Sequence, residues 1–137
     1  MEYVLYVAVK LIAYISWCWF GLRIWHAGSA IVLRAIAMGV LRLAIGIGFG
    51  ITIFGATLLL SGPISAEHLI WKYIAIYAPI RMVEWSILAW IIGRRSETQT
   101  RLTWVLWCLG GIVVSFVSDF ASPEGVAGHF CVGRCLC

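Results

Sequence analysis

Four apolar runs, each long enough to cross a lipid bilayer as a helix, leave this chain few ways to fold. A hydrocarbon core about 30 Å thick takes roughly 20 helical residues. The runs cover about 3–22, 31–60, 68–92 and 102–120. The second exceeds what the core requires, so it is expected to tilt or to project beyond the lipid. Inside a bilayer every backbone polar group needs a partner within the protein, which restricts spanning structures to helices and closed β-barrels. The runs lack the two-residue alternation of barrel strands. The expected fold is therefore all-α: an integral membrane four-helix bundle with short loops. The links at 23–30, 61–63 and 93–101 are short enough to make consecutive helices antiparallel neighbours.

Composition agrees with lipid as the solvent. Hydrophobic residues make up 63% of the chain and charged residues 12%, about half the charged share of a soluble domain. Mean hydropathy is +0.99. With 137 residues there is room for one domain. It is assigned to 1–121, followed by a Gly/Cys-rich tail at 122–137. The N-terminus reads as an uncleaved first helix, because Glu2 stands where a signal peptide carries positive charge and Lys10 interrupts the apolar run.

The net charge of +4 comes from basic residues scattered along the chain without a stripe, which argues against nucleic acid as a partner. Their distribution carries topology instead. Arg23 and Arg34 flank the first loop, and Arg94, Arg95 and Arg101 flank or occupy the third. The other side has Lys72 and Arg134 among Glu2, Glu67, Asp119 and Glu124. Loops one and three are expected in the cytoplasm and both termini outside, with a bacterial inner membrane favoured over an organellar one. Trp17, Trp19, Trp25, Trp71, Trp90, Trp104 and Trp107 fall near helix ends, as an interfacial aromatic belt would; Trp85 does not.

The informative residues are charges where lipid should be. Lys10, Arg42, Arg81 and Glu84 lie inside the runs, each at a cost of about 2.5–3.5 kcal/mol near a helix centre. They are expected to face the bundle interior. Arg34, Met38, Arg42, Gly46 and Gly50 recur every four residues on the second helix, while Lys10 and Tyr14 sit one turn apart on the first. Tyr77, Arg81 and Glu84 share a line on the third. Counting residues puts Arg42 and Glu84 at similar depth. Gly39, Gly46 and Gly50 are expected to admit a neighbouring helix closely, Gly46 and Gly50 as a GxxxG pair.

Two readings of these charges compete. In the structural one, Arg81 and Glu84 neutralise each other along one helix, Arg42 adds a bond to Glu84, and Lys10 snorkels to the surface. In the functional one, Lys10, Tyr14, Arg42, Tyr77, Arg81 and Glu84 form a polar cluster with three cations to one carboxylate. Such a cluster would attract a phosphate or carboxylate.

The tail places His129, Cys131, Cys135 and Cys137 within nine residues, a donor set suited to Zn or Cu(I). A disulfide or lipidation are the alternatives. Cys18 and Cys108 lie in helices and read as buried apolar fillers.

Three functions fit these residues. The first is a non-enzymatic subunit or accessory component of a membrane complex, with membrane lipids and a membrane-protein partner or second copy as its contacts. The second is a small transporter or lipid-headgroup or anion-binding protein built on Arg42, Arg81 and Glu84. The third is a membrane enzyme acting on a lipid-linked phosphate with Glu84 as base; it lacks a second carboxylate beside Glu84 in the sequence reading and ranks last.

Overall fold

The computed structural model describes residues 2–25, 30–60, 69–94 and 100–120. These form four helices, with no strand among them: α1 (Glu2–Ile24), α2 (Ile31–Leu60), α3 (Leu69–Gly93) and α4 (Arg101–Phe120). α1 continues past the expected end at Leu22. Its last turn carries Arg23, a cation where the helix dipole is negative. Ala30 takes a left-handed φ of 57°, which costs a non-glycine residue about 1–2 kcal/mol. Its carbonyl still accepts the Arg34 amide at 3.1 Å. α4 begins with a reciprocal cap: the Thr103 amide donates to Thr100 Oγ1 and the Thr100 amide to Thr103 Oγ1.

The helices run alternately up and down. α1 packs on α2 and α4, α3 packs on α4, and the α2–α3 contact, the thinnest of the four among the described residues, closes the ring. Among the described residues, three stretches are long and apolar enough to cross a membrane: Val4–Ile24, Ile31–Ile53 and Arg101–Phe120. The fourth expected span, 68–92, includes residues outside those described. The charges within it, Arg81 and Glu84, are buried.

The bundle carries its charges inside and an apolar surface outside. Outward-facing positions include Val4, Leu5, Ile12, Leu33, Ile51, Leu102 and Val117, while Lys10, Arg42, Arg81, Glu84 and Asp119 are buried. A water-soluble bundle places these residue types the other way round.

Below the charged layer the core is aromatic. Trp107 lies at its centre, with ring centroids 5.2 Å from Trp25 and Trp85 and 6.4 Å from Trp17. Trp17 Nε1 donates to the Trp107 carbonyl at 3.2 Å. Trp25 and Trp107 are therefore core residues and not part of an aromatic belt. Trp19 and Trp90 are exposed, each with an arginine over its ring. Cys18 and Cys108 are fully buried free thiols within this core.

Large rings fit here because glycines face them. Gly21 lies under Trp107, Gly110 under Trp17 and Gly111 under Trp85, so that a Cβ at any of these would overlap an indole. Gly39 meets the α1 backbone, where an added Cβ would stand 3.0 Å from the Ile15 amide nitrogen. That is the close helix approach expected of it. Gly111→Ala should therefore destabilise the protein by about 1–3 kcal/mol, the cost of overpacking a rigid core. Gly48→Ala, whose Cβ meets nothing within 4 Å, should be neutral or slightly stabilising. Unfolding both in detergent checks the pair; equal behaviour would contradict the tryptophan–glycine packing.

Candidate functional site

The charged layer is assembled from all four helices. α2 supplies Arg42 and α3 supplies Glu84, which meet with 2.5 Å between Nη2 and Oε2. Arg42 is 1% exposed and Glu84 3%. Two rings enclose the guanidinium, Tyr14 at 4.9 Å and Trp85 at 5.1 Å from centroid. Such cation–π contacts partly replace the hydration that burial removes. Arg42 Nη2 also donates to Ser115 Oγ at 3.4 Å, and the Trp85 indole donates to the same oxygen at 3.1 Å. Ser115 thus ties α4 to the pair.

One turn away lies a second ionic group. Lys10 on α1 and Arg81 on α3 both bind Asp119 on α4, Lys10 through Oδ1 at 2.5 Å and Arg81 through Oδ2. Tyr6 completes it, accepting from Lys10 Nζ at 2.7 Å and donating to Asp119 Oδ1 at 3.0 Å. Arg81 lies over the Phe116 ring at 5.0 Å. Lys10 is thus turned inward at 9% exposure and does not snorkel outward.

All six residues of the expected cluster, Lys10, Tyr14, Arg42, Tyr77, Arg81 and Glu84, line one cleft between α1, α2 and α3. Its volume is about 50 Å³, room for a few waters or one small oxyanion. Gly46 and Gly50 form part of its wall. Gly46 faces the ion pair. A Cβ there would meet Arg42 Nη1 at 3.0 Å and, on α3, Glu84 Oε1 at 3.9 Å. Its missing side chain makes room for the ion pair.

Sequence reasoning missed Asp119, reading it as an interfacial charge because it stands one residue from the end of α4. A signal was present. Gly111, Ser115, Ser118 and Asp119 share one helical face with Cys108, and all are buried. Asp119 changes the balance: the described cluster holds three cations and two carboxylates, not three and one. His129, Cys131, Cys135 and Cys137 lie outside the described residues. Among those described, no group of histidine, cysteine or acidic side chains is placed to hold a metal ion.

The helices and their inward charges fit a small all-α membrane protein. Comparison with known protein families, curated proteins and solved structures returns no match.

Removing one partner of a buried ion pair strands the other. Glu84→Ala should therefore destabilise the protein by about 3–5 kcal/mol. The double change Arg42→Met with Glu84→Leu should lose less than Glu84→Ala alone. Reversible unfolding in mixed micelles measures both, and a double mutant weaker than the single would contradict the pairing.

Proposed function

We propose that this is a non-enzymatic multi-pass membrane protein that binds an anionic group inside its helix bundle. The observation supporting this reading is that Lys10, Arg42 and Arg81 line a single cleft with Tyr14 and Tyr77. Among the described residues only Glu84 and Asp119 stand against these three cations. Cations held away from water gain from an anion. Arginine's planar fork suits the oxygens of phosphate and carboxylate.

In this reading all four helices cross the bilayer, α3 included, because its ionic groups face the other helices. Arg23, Arg34, Arg94 and Arg101 gather at one end of the alternating bundle, which we place in the cytoplasm. Labelling of cysteines introduced at residues 28 and 97 from each side of sealed membranes checks this. Outer-face labelling of both would reverse the orientation.

A second reading, a subunit of a larger membrane complex, draws on the apolar groove beside Ala13, Trp17, Ala35 and Val114, about 710 Å³ in volume. Small residues along such a seam suit another helix. Extraction in mild detergent tests it, since a protein that remains monomeric would count against it.

The binding reading is tested by native mass spectrometry of gently extracted protein. An anionic adduct should accompany the wild type and be absent from Lys10→Met. That variant leaves Arg42 with Glu84 and Arg81 with Asp119, so its unfolding midpoint should move little. A wild type that carries no anion would sink the proposal.

A further inference from the structure

With α3 crossing the bilayer as proposed above, we infer that a groove on its outer face seats one anionic phospholipid. The headgroup lies on Arg94, and an acyl chain runs along Trp90, Ile87, Val83 and Pro79. This seat is separate from the cleft inside the bundle. Val83 is exposed where its neighbour Glu84 is buried.

The cation is held in place by a ring. Arg94 follows the last residue of α3, and its guanidinium carbon stands 4.3 Å from the centroid of Trp90, one turn earlier. Its side chain makes no ion pair among the described residues, so N–H donors remain for the oxygens of a phosphodiester. Arg23 repeats the arrangement on α1, 5.0 Å from the Trp19 ring at the same end of the bundle. Both tryptophans are exposed. Two such pairs mark the level of the headgroups, where indole and cation are both at home.

The groove below has the dimensions of one leaflet. Pro79, Val83, Ile87 and Trp90 follow one stripe of the helix. With Met82 and Ser86 they border an open groove of about 530 Å³. Arg94 continues the stripe one turn beyond Trp90. The helix rises about 17 Å from Pro79 to Trp90, close to half of a hydrocarbon core about 30 Å thick. The order is that of a lipid: charge at the top, indole at the boundary, aliphatic side chains toward the midplane. A partner helix fits less well, because close approach calls for small residues and Ser86 is the one small side chain of these six.

Charge selects the headgroup. Arg23, Arg34, Arg94 and Arg101 lie at this end, with no carboxylate beside them among the described residues. The links on that side add Arg95 and Glu97, which cancel. A choline headgroup brings a further cation to this surface, whereas a glycerol phosphodiester brings a net negative charge. An arginine at an anionic surface contributes about 1 kcal/mol, or about fivefold in binding.

The test uses full-length protein, delipidated in a neutral detergent and offered phosphatidylglycerol or phosphatidylcholine. Bound lipid is counted by native mass spectrometry. The wild type should retain phosphatidylglycerol about fivefold more than phosphatidylcholine. Arg94→Gln should weaken that phosphatidylglycerol adduct by a similar factor by removing the cation. Val83→Trp should weaken it too, by filling the groove without changing any charge. Both positions are exposed, so neither change disturbs the core. Arg34→Gln, at the same end but outside the groove, and Lys10→Met, in the cleft, should leave the adduct in place.

Equal retention of the two lipids by the wild type would overturn the inference. Equal losses from Arg34→Gln and Arg94→Gln would overturn it as well, being the mark of diffuse attraction to a basic surface. A phosphatidylglycerol adduct lost only in Lys10→Met would place the lipid in the cleft, overturning the seat while supporting the anion reading. An adduct lost in Arg94→Gln and Val83→Trp but kept in Lys10→Met supports the seat, whatever becomes of the cleft.

Discussion

The ion pair between Arg42 and Glu84 joins α2 to α3, the neighbouring helices that touch least among the described residues. A guanidinium and a carboxylate this deeply buried cannot be traded for water, so each commits its helix to one depth and one rotation. Tyr14, Trp85 and Ser115 then have fixed places around Arg42, supplied by α1, α3 and α4. A single charged side chain therefore sets the register of all four helices. Apolar packing in a bilayer gives weaker direction, since lipid chains are as greasy as leucine.

The aromatic core beneath this layer works by shape. Tryptophan is too large to lie between helices that approach closely unless a facing residue gives up its side chain. Gly21, Gly110 and Gly111 do so, each beneath a different indole. The result is a bundle with polar bonds at one level and interlocked rings at the next. The first selects which helices meet and the second fixes how near they come.

Much of this was legible in the chain. Apolar runs of spanning length marked the helices to within about two residues, because few alternatives satisfy a backbone in lipid. The six residues that line the cleft could be named because charge is conspicuous in such runs. Other features were hidden for physical reasons. Asp119 stands near a helix end, where a carboxylate is ordinarily in contact with water, and only the register between α1 and α4 brings it to Lys10. Trp25 and Trp107 look interfacial by position, yet the same register turns them inward. Gly46 fits a packing motif, but which neighbour fills the space above a glycine depends on helix rotation, which spacing within one helix does not specify.

Asp119 serves two cations at once, one on each oxygen. Lys10 and Arg81 are accordingly rivals for one carboxylate as well as members of one group. Loss of either leaves the other cation still paired with it, so the energetic effect of changing both will not equal the sum of the separate effects. A scan that alters one position at a time would rank these two side chains as dispensable and Asp119 as essential. The three nonetheless form one thermodynamic unit, and its strength resides in the carboxylate they have in common.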